Sequence, residues 1–281
     1  MNLDIVVNKY LLIWHLLYQS SVSDEIHDLK QRLWTLYKKE YSLVHADKDE
    51  ILANLDDFIP NDDLIYNLIE EDPQYKKIKH ETNRYRNNIL EIGDLNRKMY
   101  TRELLQILKF NLIDSYKICV VHPNLDVVET DFKSNIITIG KKIITRDKDN
   151  FLTYLIYKIV KNEISRLKTN EKDIVDVVIE LAITNELYTR VSKESKYKIG
   201  KKDLRELKEK IYPYWLMYLG VKEDDFDTYM VRDNIFFDKS KYKYEKMLKT
   251  VDIYSFIAFL VKNKRSIFKT KLVPVESIEV L

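Results

Sequence analysis

The chain has 281 residues, of which 45% are apolar, 12% aromatic and 33% charged, with a formal net charge of +2. Abundant Leu, Ile, Val, Tyr and Phe exclude intrinsic disorder and suffice for a buried core, and one cysteine excludes an internal disulfide framework or a thiolate zinc cluster. Four glycines argue against a fold that cradles nucleotides in Gly-rich loops, because glycine is what lets backbone amides approach a phosphate closely.

The charge is unevenly divided. Residues 191–281 carry 20 Lys and Arg against 14 Asp and Glu, whereas the first 190 residues carry 27 against 31. Interspersed acids make the basic third a weak footprint for a nucleic-acid backbone and an ordinary solvated surface. The apolar run Tyr10–Tyr18 suits a buried helix and is too short to span a bilayer. With no secretory leader pattern in view, the expectation is a cytoplasmic protein without membrane insertion.

In chain order, the first 110 residues read as helices. Ser21 and Asp24 form a variant capping box ahead of the stripe Ile26, Leu29, Leu33, Leu36, Tyr37, Tyr41 and Val44. Asp47 with Glu50 repeats the start signal before Ile51, Leu52 and Leu55, and Asn61 opens a further helix. Two more are expected over 74–93 and 99–112. The character changes near residue 116. Lys117–His122, Val127–Thr130 and Asn135–Gly140 read as short strands, the last two joined by a polar turn at Asp131–Ser134. Cys119 reads as a small buried thiol. Helices return over Phe151–Lys168 and, after a cap at Asn170, over an almost wholly apolar stretch through Ile183. The remainder to about Lys264 reads as helical, with a short strand at Asn234–Phe237. The chain is therefore expected to be mainly α with a small β-sheet (α+β): a helical N-terminal region over 1–115, then an α+β region over 116–281 with three short strands in 116–140 and C-terminal helices.

Motifs for chemistry are few. Gly140-Lys141-Lys142 and Gly200-Lys201-Lys202 lack the upstream glycine of a phosphate-binding loop and read as turns. No two of the five histidines share a helical turn, so no metal and no cofactor is expected. Asp126, Glu129, Asp131 and Lys133 read as a solvated turn rather than a nuclease cluster. Glu180 stands out. A carboxylate inside an apolar helix needs a cation, a metal or a proton, and Asp176, one turn earlier, sharpens the need. Lys158 and Lys161, on the preceding helix, are the nearest candidate cations.

The order strand, helix, helix with a buried glutamate resembles the core of gluzincin, thermolysin-like metallopeptidases. In that family the first helix carries H-E-x-x-H, a glutamate on the next helix about twenty residues on is the third zinc ligand, and an edge strand holds the substrate. The resemblance implies an edge strand at Ile136, Ile137, Thr138 and Ile139, the motif at Tyr157, Lys158 and Lys161, and the third ligand at Glu180. Tyr, Lys and Lys in place of His, Glu and His imply a vestigial, metal-free and non-catalytic site in a helical metallopeptidase-like core, with a lysine ammonium facing Glu180. Three functional readings follow. The first is a peptide- or protein-binding pseudo-metallopeptidase. The second is a helical interaction protein without peptidase ancestry, using the Ile26–Val44 stripe or the aromatic segment Tyr212–Tyr218. The third, less favoured, is a weak nucleic-acid binder using the lysines of 193–210 and 239–271.

Overall fold

A computed structural model describes residues 2–21, 23–61, 63–112, 115–131, 133–142, 148–167, 169–192, 202–239 and 251–268. The fold is mainly helical with a small mixed sheet, as expected. Two compact units form, each discontinuous in sequence: Met1–Leu95 with Ile113–Lys148, and Asn96–Leu112 with Asp149–Leu281. The strands of 116–140 thus share a unit with the preceding helices, which differs from a single division at residue 116.

The first unit contains β1 (Asn2–Val6), α1 (Lys9–Tyr18), α2 (Asp24–Leu36), α3 (Lys38–Ala46), α4 (Lys48–Ala53), α5 (Leu64–Glu71) and α6 (Pro73–Leu108) as far as residue 95. It is completed by β2 (Ser115–Val120), β3 (Val127–Asp131) and β4 (Ile136–Gly140). Among the described residues the sheet has four strands in the order β1-β2-β4-β3; the first three run parallel, and β3 is antiparallel to β4. The sequence reading missed β1, whose five residues are too few to show a period and whose partner is distant. It also divided α6, which runs unbroken through Gly93. A Cβ at Gly93 would meet no atom within 4 Å, so nothing in the packing marks that glycine as a break.

Gly140 is no turn. It closes β4 against the end of β2, where a Cβ would lie 2.6 Å from Val121 Cγ2 and 2.7 Å from the His122 carbonyl oxygen. Only glycine permits that approach. Gly200 and Lys201 lie outside the described residues. Asp47 does not cap α4 with its side chain; its carboxylate accepts a 2.8 Å hydrogen bond from the Tyr66 hydroxyl.

Helix α1 is buried nearly all round, and Leu11, Leu12, Ile13, Leu16 and Leu17 form the centre of a core shared with α2–α5 and the sheet. The stripe on α2 and α3 joins it: Ile26, Leu29, Leu33, Tyr41 and Val44 are buried, while Leu36 faces outward. His15 lies fully inside this core, and neither ring nitrogen has a hydrogen-bond partner among the described residues.

The second unit takes α6 from residue 96, α7 (Lys148–Ser165), α8 (Lys172–Ile179), a π-helical segment Glu180–Leu187, α9 (Tyr188–Ser192), α10 (Arg205–Leu219), α11 (Phe226–Asp233), α12 (Ile253–Lys262) and α13 (Lys264–Phe268). Helix α8 packs on α10 and α12. The aromatic segment of α10 is core: Trp215 stacks on Tyr218 at 5.3 Å, and Tyr218 on Phe256 at 4.8 Å. The Tyr218 hydroxyl reaches the carbonyls of Ile107 (2.8 Å) and Leu108 (3.1 Å), serving a helix end whose carbonyls lack partners within the helix. The expected strand at Asn234–Phe237 is absent, because Asn234 takes a left-handed conformation (φ 53°) that ends α11 and leads into irregular chain.

Burial lowers the His15 pKa from 6.5 to about 4; Glu129 opposes that shift and Lys48 adds to it. Between those two values the unfolded chain takes up a proton that the folded protein excludes. Stability therefore falls as pH drops through 6.5 and levels off below about 4. We expect the wild type to lose about 2 kcal/mol more than His15→Leu between pH 7 and pH 5, measured by urea denaturation. Equal losses in the two proteins would show that His15 is not the titrating group.

Candidate functional site

Helix α8 and the π-helical segment form one continuous, almost fully buried rod in which Ile174, Val177, Val178, Ile179, Leu181, Ala182, Ile183 and Leu187 leave little room for charge. Runs of π-helix are rare, occur mostly as single turns and concentrate at functional sites. This one carries Glu180, Asn185 and Glu186, each at most 5% exposed.

The need for a cation at Glu180 is met from an unexpected element. Lys208 of α10, itself buried, places Nζ 2.8 Å from Glu180 Oε2. Lys161 instead pairs with Asp176 at 2.7 Å, and Lys158 lies over the Tyr154 ring at 5.4 Å. Tyr157 and Lys158 are half-buried, with Lys161 Nζ 6.0 Å from the Tyr157 ring centre. The expected facing of Glu180 by Lys158 or Lys161 is thus corrected: two acidic residues one turn apart are held by lysines from different helices. Nothing in the local sequence around Glu180 could point to α10. The edge-strand expectation for Ile136–Ile139 also fails, since β4 is hydrogen-bonded to β2 on one side and β3 on the other.

A second buried acid, Glu186, anchors a larger network. Its carboxylate accepts from Arg190 Nε at 2.8 Å and from Arg232 Nη2 at 3.0 Å. Arg190 reaches on to Glu103 of α6 at 3.4 Å, and Arg232 also pairs with Asp233. Asp233 accepts from the Tyr212 hydroxyl as well. Burial raises the Asp233 pKa, with Arg232 and Tyr212 working against it; burial and the adjacent Asp233 push the Tyr212 phenol far up. Five elements meet on these side chains, and their cations and carboxylates hold one another.

Asn162 to Ser165 are the last residues of α7, Arg166 lies in the turn that follows it, and Glu186 comes 20 residues after Arg166. Asn162 and Glu163 are buried, unlike Tyr157 and Lys158, and Arg166 lies 3.6 Å from Glu163.

Among the described residues no group of three or more His, Cys, Asp and Glu is placed to hold a metal ion. Cys119 is buried, which pushes its thiol up to about 12 and leaves it a poor thiolate. No described helix is long and apolar enough to cross a membrane. Of the lysines assigned to nucleic-acid contact, Lys208 is committed to Glu180, Lys264 to Glu171 and Lys239 to Asp227, while residues 193–201, 240–250 and 269–271 lie outside the described residues.

Removing Lys208 alone leaves a buried carboxylate without its cation, so Lys208→Leu should cost about 3–5 kcal/mol. Joining it to Glu180→Leu removes both charges and should recover most of that loss, as read from chemical denaturation of the two variants. A double variant as unstable as the single one would mean that Lys208 stabilises by packing and not by pairing. Comparison with protein-family models, curated proteins and solved structures gives no match.

Proposed function

We propose that this chain is a non-catalytic, protein- or peptide-binding molecule whose second unit is a metallopeptidase-like helical core. One observation carries the reading: buried glutamates at the spacing expected of a zinc site, Glu163 and Glu186, lie beside arginines. An arginine is always protonated and cannot ligate a metal, and its charge opposes one. Glu186 is bonded to two guanidiniums, and Arg166 sets a fixed positive charge 3.6 Å from Glu163, which weakens it as a general base for activating water. The arrangement suits a scaffold held rigid by ion pairs better than a hydrolytic centre.

With β4 interior and the Tyr212–Tyr218 segment in the core, neither serves a partner directly. On α2 and α3, Trp34, Leu36 and Leu43 are 44%, 63% and 49% exposed, and they supply apolar area of the kind interfaces use.

Rebuilding the motif tests the scaffold. In the wild type, neither zinc nor a chelator should change the melting temperature. In the double variant Asn162→His with Arg166→His, which also removes the guanidinium near Glu163, zinc should raise it by roughly 5–10 °C at a hundredfold excess over Kd. Tightly held zinc in the wild type overturns the non-catalytic reading. A double variant that stays folded and ignores zinc overturns the metallopeptidase-like scaffold.

A further inference from the structure

The first unit holds a crevice that the sequence did not reveal. It lies at the carboxyl ends of parallel strands β2 and β4, the position where open sheets with parallel strands commonly take ligands. One face of α6, with Glu81, Arg84, Tyr85 and Asn88 at helical spacing, forms one wall. The segment His122-Pro123-Asn124 after β2 and Lys142 after β4 form the other.

The walls are fixed to one another. Tyr85 exchanges hydrogen bonds with the backbone of Lys141, and Arg86 donates to the Ile5 carbonyl in β1 at 3.3 Å. His122, 2% exposed, accepts at Nδ1 from the Asn124 backbone N–H (3.3 Å) and donates from Nε2 to Glu81 Oε2 at 3.0 Å. The backbone donor sets the tautomer, and the tautomer orients the carboxylate. That hydrogen bond holds Glu81 below the usual carboxylate range. Gly140 allows the two strand ends to close up behind the crevice.

Besides the His122 hydrogen bond, Arg84 and Lys77 act on Glu81 only through space. Arg84 and Lys142 are exposed, and neither makes a hydrogen bond or close ion pair among the described residues. Glu81 has one oxygen committed to His122, and Glu91, two turns beyond Arg84, adds a second acid at the far end. Two cations and two carboxylates give a lining with no net charge. Such a lining discriminates against a phosphate dianion and suits a ligand that carries both signs.

We propose that this crevice binds a free α-amino acid, its carboxylate between Arg84 and Lys142 and its ammonium on Glu81. Asn88 and Asn124 flank the two charged groups with amide donors and acceptors, and the side chain extends toward Ile92 and Glu91. His122 acts as a positioning residue, through Glu81.

Saturation-transfer NMR on the full chain, with pools of the twenty common amino acids, tests this. At least one amino acid should give signal, and its N-acetyl and carboxamide forms should lose it, since each lacks one of the two charges. Arg84→Gln and Lys142→Gln, both at exposed positions, should leave circular dichroism and melting unchanged and weaken binding at least tenfold. Inorganic phosphate at equal concentration should not compete. Absence of signal from every amino acid overturns the proposal, as does binding that survives Arg84→Gln or is displaced by phosphate.

Discussion

A carboxylate held inside a packed helix must be matched by a cation, and the second unit is organised around that constraint. The α8–π rod is apolar enough to be surrounded by protein, yet it carries Glu180 and Glu186. Matching them recruits Lys208 from α10, Arg190 from α9 and Arg232 from α11, and through these Glu103, Asp233 and Tyr212. Buried ion pairs contribute little net stability compared with apolar groups of the same size, but they penalise any arrangement that separates them. Each pair therefore fixes which helices adjoin the rod and in what register. Apolar packing alone, which tolerates sliding and repacking, would specify this less sharply.

The first unit solves a different problem. Its sheet is small, and three of its strands are parallel, which leaves ends and edges to be managed. Helix α6 does much of that work at the carboxyl ends, where Glu81, Tyr85 and Arg86 fasten respectively to His122, the Lys141 backbone and the Ile5 carbonyl. The wall of the crevice and the brace of the sheet are the same helical face. Groups needed for recognition can then be held in place without a dedicated loop, in a chain with few glycines to build one.

Elements whose signal is local were legible in the sequence. The helical stripes of α2, α3 and α7 and the strands β2–β4 declare themselves within a few residues. So did the demand for a cation at Glu180, because the mismatch between a charge and its apolar helix is visible there. What was not legible depends on distant partners: β1, too short to show its period without β2; Lys208, which answers Glu180 from another helix; and the His122–Glu81 contact. The edge-strand expectation failed for the same reason, since whether a strand is interior is decided by its neighbours and not by its own residues.

The pairing of β1 with β2 has a consequence for how the chain is made. Asn2 meets Ser115 and Val6 meets Cys119 only after α1–α5 and all of α6 have been synthesised between them. Contacts so distant in sequence are slow to form, because the entropy of closing the intervening chain is lost before they return anything. On the ribosome, Leu3 and Ile5 therefore wait without their strand partner, their backbone hydrogen-bonded to water, while the helices that follow them emerge and collapse. A chaperone that shields short apolar strands would find a client segment in β1, well before the sheet it belongs to exists.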